Sequence, residues 1–366
     1  MIPFWLLFFF LVTLTLVFPN FSQKNKIFNI NAYLFVFFSI SILVFFAGFR
    51  YGSNDYSGYV DIYKEIPKIN NLDKAWFENN FLNVEIGFIY FSGILKLFSE
   101  NSFILFFFVA LISVGLNIWA IKRISPYVYL SILLYFVYNF LLKDTIQIRQ
   151  GLASSFVLAS FIYHSNRKRS IILLLGAISF QATAIVALLL MFFSRLKFKS
   201  NKSYYLIIGS TFCMSVFFSG RRLFEFLMTI LDLPLSLTVY FGWDEFDYNL
   251  GFFSPILVKQ LIILYFLILY RYTLEQKFES FLILFNYYFF STLWYIYFID
   301  FAIVAGRISN LLSIGEIILV PMLISIFSRP TRNTLYILAI IYSALVLFLN
   351  LSSGKIFPYQ TIFNLK

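Results

Sequence analysis

The chain has 366 residues, of which 61% are hydrophobic and only 12% are charged, and its formal net charge is +11. Hydrophobic runs of about 20 residues recur from end to end, which excludes a soluble domain and predicts a polytopic membrane protein. In hydrocarbon each backbone segment must satisfy its own hydrogen bonds, so these runs are predicted to be helices. The single cysteine, Cys213, excludes a disulfide framework within one chain, and the single histidine, His164, lies in a basic stretch typical of a loop.

Twelve hydrophobic segments follow one another along the chain. They cover roughly residues 2–18, 27–48, 84–98, 103–121, 126–142, 150–163, 170–193, 203–219, 255–270, 280–299, 308–327 and 334–351. The first has no basic residues before it and the pair Lys24 and Lys26 after it, so we expect a retained span and not a cleaved signal peptide. Segment 84–98 is short, and segment 170–193 is interrupted near Gln181. We therefore predict ten full spans and two re-entrant or interfacial helices.

The basic loops predict the orientation of these spans. With that assignment, the loops at 24–26, 122–123, 167–169, 195–202, 271–277 and 329–332 all lie on the cytoplasmic side. Both termini then lie outside, and so do two long segments, 49–102 and 220–254, of a single transmembrane domain covering 1–366. The positive charge is thus a topology signal, and no aromatic-basic motif indicates nucleic-acid binding. No glycine motif for a nucleotide is present either.

Three arginines are expected at one depth, near the outer ends of spans. Arg50 ends the second span, Arg149 follows a short outer segment, and Arg307 begins a late span. A single arginine at such a place often reaches lipid headgroups and does nothing more. Three at one level favour a shared anion site, because the forked guanidinium holds phosphate oxygens bidentately.

Carboxylates and tyrosines accompany these arginines. Asp55 follows Arg50 closely and is flanked by Tyr56 and Tyr59. It pairs with Arg50, orients an arginine, or acts as a base on a sugar hydroxyl against which the tyrosines stack. Glu85 opens a short helix, where an acid either complements the helix dipole or serves as a general base.

Further polar residues lie near the predicted helix ends. Asp144, Gln147 and Gln150 flank Arg149. Gln181 sits at a helix break, and non-helical backbone at membrane depth is tolerated only where it lines protein or a cavity. The acidic-aromatic run 243–248 is compatible with sugar stacking or a divalent cation but is more typical of a solvated loop.

Glu316 and Asn310, within a late span, either line a cavity with Arg307 or form a buried structural pair. No metal-ligand spacing stands out, so no metal site is predicted.

Four motifs, in this order, resemble the EpsG/Wzy family of bacterial polysaccharide repeat-unit polymerases. They are Arg50–Tyr56 with Tyr59, Glu85–Phe88, Ile148–Ala153 and Ala305–Ile308, and the Phe357–Tyr359 element of the tail adds to them. The resemblance covers about residues 50 to 360. One position departs from the family pattern: Gln181 stands where a histidine is common, and an amide does not take up a proton at neutral pH. Either Gln181 only binds substrate or the base is a carboxylate.

The resemblance implies a GT-C-like, all-α enzyme of the bacterial cytoplasmic (inner) membrane. It would move a growing glycan from undecaprenyl pyrophosphate onto a new lipid-linked repeat unit at the outer face, without a nucleotide, metal or other cofactor. Arg149 and Arg307 would neutralise the departing pyrophosphate, and Asp55 or Glu85 would deprotonate the acceptor hydroxyl. Substrate contacts would come from Arg50, Tyr56, Tyr59, Gln150, Gln181 and Tyr359. The implied partners are the lipid-linked oligosaccharide and membrane lipid, with a chain-length regulator and a flippase as further candidates.

Other functions stay open. A flippase or exporter of lipid-linked oligosaccharide also needs arginines facing a pyrophosphate, but such carriers usually have two related halves, and this chain shows no internal repeat. An O-antigen ligase shares the chemistry but usually relies on a histidine in a large outer loop, where this chain has none. A membrane protein without chemistry is disfavoured by the order of the motifs.

Overall fold

The structure is a computed structural model that describes residues 1–19, 30–79, 84–231 and 248–364. Over these residues it is almost entirely helical, which confirms the predicted all-α class. The helices are α1 (Ile2–Val17), α2 (Ile30–Gly48), α3 (Tyr56–Glu65), α4 (Lys74–Asn79), α5 (Ile86–Leu95), α6 (Phe103–Ile124), α7 (Val128–Tyr135), α8 (Ile148–Ser160), α9 (Arg167–Phe180), α10 (Ile185–Phe193), α11 (Asn201–Phe217), α12 (Gly220–Leu231), α13 (Pro255–Leu269), α14 (Arg271–Lys277), α15 (Phe281–Tyr297), α16 (Ala302–Leu312), α17 (Glu316–Ile324) and α18 (Arg329–Ser352).

Short elements complete the fold. A π-helix, Phe136–Asp144, continues α7, and strands β1 (Arg50–Tyr51) and β2 (Gln360–Thr361) pair antiparallel. Single 3₁₀ turns cover Ile69–Asn71, Phe161–Tyr163, Ala182–Ala184, Ser313–Gly315 and Ile362–Asn364.

Several helices have the length and apolar character of membrane spans. Three pass by themselves: α6, α18, and α16 with α17 taken together as Ala302–Ile324. The pairs α11–α12 and α13–α14 pass jointly, each with a bend of 72°, which raises the number to five among the described residues. A span needs about 20 residues, and apolar helices such as α1 and α15 are shorter. The structure therefore supports a membrane protein, while the count of ten spans stays a prediction.

The two suspect segments are short helices, as the sequence predicts. Segment 170–193 is broken after Phe180, where Gln181 has extended backbone and a 3₁₀ turn precedes α10. Segment 84–98 contains α5, whose ten residues are too few to cross a bilayer. Whether either one is re-entrant stays a prediction.

The contacts divide the chain into two compact units. The first comprises Met1–Ala182 and Val320–Lys366, and the second comprises Thr183–Leu319. In the first unit α6 packs against α2 and α8, and α8 packs against α9. In the second, α15 packs against α11, α13 and α16. The single transmembrane domain over 1–366 stays a prediction, as does the outer location of 49–102 and 220–254.

Candidate functional site

An ion pair joins two of the predicted site residues. Glu85 precedes the first turn of α5, and Arg149 is the second residue of α8, 64 positions later. The Arg149 guanidinium donates to one Glu85 carboxylate oxygen, and the backbone N–H of Ala182 donates to the other at 2.9 Å. Glu85 thus ties together α5, α8 and the turn that follows α9. Gln181 lies directly beside this junction.

Two aromatic rings form a wall beside the guanidinium. The Arg149 Cζ lies 6.0 Å from the ring centroids of both Tyr59 and Phe88. The Tyr59 hydroxyl and the Arg149 charge are close enough to affect each other's pKa. Burial raises the pKa of Tyr59, although the charge of Arg149 opposes that rise, so the phenol stays protonated at neutral pH. A cation against aromatic faces is held in a defined orientation.

The ion pair remains open to a ligand. The side chains of Arg149 and Glu85 are 21% and 16% exposed. The Arg149 Nε is buried and finds no hydrogen-bond partner within the part of the chain that the structure describes. Since a buried donor without a partner is unfavourable, this N–H is suited to an anionic ligand.

Gly87 explains why this site begins with a Glu-x-Gly pattern. A Cβ at Gly87 would lie 2.5 Å from the carbonyl oxygen of Ser179, closer than atoms can approach. Only glycine lets the start of α5 lie against the end of α9. This close packing brings the Glu85 carboxylate to the Ala182 N–H, which explains why a glycine stands two residues after Glu85.

One part of the first motif lies near the ion pair of Glu85 and Arg149, and the other part packs against neighbouring helices. Asp55 is exposed at the start of α3, where its backbone carbonyl accepts the N–H of Tyr59 at 3.1 Å. Its charge is close enough to contribute to the raised pKa of Tyr59. Tyr56 stacks on Phe106 of α6, with ring centroids 4.7 Å apart. Asp55 and Tyr59 therefore lie near Arg149, while Tyr56 anchors α3.

Arg50 is buried beneath the C-terminal tail, with 3% of its surface exposed. Its guanidinium donates to the hydroxyl of Thr145 at 2.6 Å and to the carbonyl of Phe357 at 3.4 Å. Burial lowers the pKa of Arg50 to about 10, which leaves it charged at neutral pH. The substrate-binding role predicted for Arg50 stays a prediction, but these contacts favour a structural role.

Tyr359 fastens the same tail. Its ring stacks on Phe46 with centroids 4.0 Å apart, and its hydroxyl donates to the Phe46 carbonyl at 3.1 Å. Burial raises the pKa of Tyr359 to about 12, against the opposing charge of Arg50. The substrate role predicted for Tyr359 likewise stays a prediction.

Asp144 is close to Arg149 in the sequence, but its carboxylate binds residues of other helices. Its carboxylate accepts the hydroxyls of Ser113 and Tyr135, the latter at 2.6 Å. A Cβ at Gly151 would lie 2.7 Å from this carboxylate, so the glycine after Arg149 makes room for it. Asp144 thus binds α6 and α7 to the start of α8. Gln150 is 7% exposed in the same turn.

The second unit contains the remaining predicted residues. Arg307 is half-buried in α16, and its common depth with the other two arginines stays a prediction. Glu316 pairs with Lys259 at 2.8 Å and accepts the Tyr288 hydroxyl at 3.2 Å. Glu316 therefore has a partner, Lys259, that the sequence did not indicate, and the two alternatives predicted for Glu316 with Asn310 stay predictions. Asn310 is exposed on α16.

Two further observations concern metals and the acidic-aromatic run. Among the described residues, no group of three or more histidine, cysteine or acidic side chains is arranged to hold a metal ion. The run 243–248 falls outside the described residues except for Tyr248.

Comparison with known proteins identifies the family. The family model described as the EpsG family matches residues 32–361, a range that includes every motif above. The chain belongs to the EpsG family. It is similar to the amylovoran biosynthesis protein AmsC of Erwinia amylovora, with 25% identity over 305 residues that cover 82% of this chain and 80% of AmsC. No solved structure matches this EpsG family member. The family predicted from the motifs is confirmed.

Proposed function

We propose that this protein is a glycosyltransferase that joins lipid-pyrophosphate-linked oligosaccharide repeat units at the outer face of the bacterial cytoplasmic membrane. Membership of the EpsG family and a relative named for amylovoran biosynthesis support a role in polysaccharide biosynthesis. The proposed chemistry rests on the surroundings of Arg149. Its guanidinium is paired with Glu85, lies beside two aromatic rings and is partly exposed.

Arg149 is suited to the leaving group of such a transfer. As the acceptor hydroxyl attacks the anomeric carbon, the bond from that carbon to the pyrophosphate oxygen breaks and negative charge grows on the phosphate. A fixed guanidinium stabilises this charge more in the transition state than in the ground state, because it needs no reorganisation. The Nε without a described partner supplies a donor that Glu85 does not occupy.

Asp55 is the better candidate for the base. Both oxygens of Glu85 already accept hydrogen bonds, from Arg149 and from the Ala182 N–H. Asp55 is exposed beside Tyr59, where its carboxylate can take the proton of the acceptor hydroxyl. We therefore assign Glu85 to positioning Arg149, and Tyr59, Gln150 and Gln181 to the surroundings of the substrate. Undecaprenyl pyrophosphate is the carrier that this proposal assumes.

The deciding experiment is the surface glycan profile, by gel, of a deletion strain complemented with wild type, Arg149→Ala or Arg123→Ala. Arg123 is an exposed arginine at the far end of α6 and serves as the matched control. We expect single repeat units on the surface of the Arg149→Ala strain and a normal ladder with Arg123→Ala. A normal ladder with Arg149→Ala at wild-type protein level would refute the assignment. Lipid-linked units that accumulate inside, with none at the surface, would favour a carrier instead.

A further inference from the structure

A cavity with one polar and one apolar side lies in the first unit, and Arg149 does not line it. Its volume is about 250 Å³. Three helix ends meet around it: the C-terminal end of α1 and the N-terminal ends of α7 and α18. Its lining includes Leu16, Tyr127, Arg332, Asn333, Tyr336 and Ile337.

The polar side of this cavity is positive and held in place. Arg332 and Tyr127 both line it, and the Tyr127 ring packs edge-on against Tyr336 at 5.5 Å. Tyr336 in turn donates to the Thr15 carbonyl at 3.0 Å, which connects the wall to α1. Because α7 and α18 both begin here, their first backbone N–H groups add positive potential to the guanidinium charge. The polar side therefore suits an anion.

The other side of the cavity is apolar and continues along a membrane-length helix. Leu16 is 56% exposed and Ile337 is 53% exposed. From Ile337 the exposed residues Ile341, Leu345 and Phe348 follow on α18 at spacings of four, four and three, so they lie on one helix face. This stripe suits hydrocarbon chains, since α18 is long and apolar enough to cross a membrane.

The cavity and Arg50 lie at opposite ends of the first unit. The distance between these ends is about one bilayer thickness. At the far end of α18, Asn350 donates to the Val137 carbonyl, and the tail that follows covers Arg50. The helical rise from Arg332 to Ser352 is about 30 Å, which is also the thickness of the hydrocarbon core. Thr145, which Arg50 binds, is only four residues before Arg149. In a membrane that α18 crosses, the cavity and the Arg149 site would thus lie in opposite leaflets.

We propose that this cavity binds the phosphate headgroup of an anionic phospholipid in that opposite leaflet, with its acyl chains along the exposed face of α18. Arg332 and the Asn333 amide would donate to the phosphodiester oxygens. The volume is below the roughly 300–1,000 Å³ of drug-sized sites, so it fits a headgroup and not an oligosaccharide. The apolar stripe favours a lipid over free phosphate. This inference does not depend on the transferase function, because it concerns a different ligand at a different end of the unit.

The test is thermal unfolding of the purified full-length protein in a neutral detergent, titrated with phosphatidylglycerol, phosphatidylcholine or inorganic phosphate. The variants are Arg332→Gln and its matched control Arg329→Gln, an exposed arginine at the same helix end that does not line the cavity. We expect phosphatidylglycerol to stabilise wild type and Arg329→Gln alike. In Arg332→Gln its apparent affinity should fall about tenfold, the loss of one charge-assisted contact.

Three results would overturn the proposal. Equal stabilisation of Arg332→Gln would show that the cavity is not the site. An equal loss of affinity in Arg329→Gln would show diffuse attraction between charges and no specific site. Full competition by inorganic phosphate would show that the site binds a free anion and not a lipid. If Arg332→Gln does not fold, Tyr127→Phe replaces it. That change keeps the ring packing and removes a hydroxyl that lines the cavity beside Arg332, so a weaker response to phosphatidylglycerol is still expected.

Discussion

The neighbours of Arg149 predict a division of roles between two carboxylates. If Glu85 only positions Arg149, Glu85→Gln should retain part of the activity, because the amide oxygen still accepts the Ala182 N–H. Asp55→Asn should reduce the polymerisation rate on the order of 100-fold or more, as loss of a general base does. Rates on purified lipid-linked repeat units would measure both. The roles are reversed if Glu85→Gln is inactive and Asp55→Asn is not.

Tyr59 offers a second residue-level prediction. Tyr59→Phe keeps the ring beside Arg149 and removes the polar hydroxyl close to the guanidinium, so the guanidinium is less well oriented. We expect about a tenfold loss of kcat/KM for the lipid-linked donor, which corresponds to one net hydrogen bond. Tyr63→Phe is the control, since the buried Tyr63 lies in the same helix but donates to the Ser99 carbonyl. If both variants lose activity equally, the effect comes from α3 stability.

At the scale of single residues, the motifs predicted the residues of the candidate site but not their hydrogen bonds and ion pairs. The structure brings Tyr59, Glu85 and Arg149 together and places Asp55 one helical turn before Tyr59, and all four are predicted from their motifs. The burial of Arg50 was not predictable, because its tail contact at Phe357 is 307 residues away and no local pattern encodes such a contact. Lys259 as the partner of Glu316 was missed for the same reason.

The packing of α5 on α9 makes a prediction at the level of helices. Gly87→Ala places a methyl group 2.5 Å from the Ser179 carbonyl, so the two helices must separate and Glu85 must withdraw from the Ala182 N–H. Overpacking of this kind typically lowers the free energy of unfolding by about 1–3 kcal/mol. The measurement is the thermal midpoint together with polymer length. Gly58→Ala is the control, since nothing lies within 4 Å of its new Cβ; it should leave polymer length unchanged and not lower the midpoint, because alanine favours a helix more than glycine does.

Helix breaks differ in how far sequence predicts them. The break at Gln181 was predictable because polar residues interrupt an apolar run, and backbone at that place needs protein partners. The π-helix Phe136–Asp144 was not, since most of its residues continue the apolar run of α7 and no proline or glycine marks the change. Span lengths were also uncertain, because bends such as the 72° between α11 and α12 divide one apolar run into two helices.

For the whole molecule, composition predicted an all-helical membrane protein, and the helices confirm that class. The division into two units was not predictable, because it depends on contacts between distant segments: Val320–Lys366 joins the unit that begins at Met1. Which side of the membrane each end of a unit faces is still a prediction from the charge of short loops.

That orientation can be tested with single cysteines. Replacing the exposed Cys213 by serine gives a background without thiols, since it is the chain's only cysteine. Asn101 and Ser353 are exposed near the end of the first unit that holds Arg50, and Ser328 is exposed before the first residue of α18. A membrane-impermeant maleimide added to intact spheroplasts should label Asn101→Cys and Ser353→Cys. Ser328→Cys should react only after lysis.

The opposite pattern would have a definite consequence for mechanism. If α18, which is long and apolar enough to cross a membrane, does cross it, Ser328 and Ser353 lie on different sides whatever the total number of spans. Labelling of Ser328→Cys alone in intact cells would place Arg149 at the cytoplasmic face. Transfer would then precede translocation of the repeat units, and the polymerase proposed for the outer face would be wrong even if Arg149 is essential. Labelling of all three positions would show that α18 does not cross the membrane, and the leaflet assigned to the lipid cavity would fail with it.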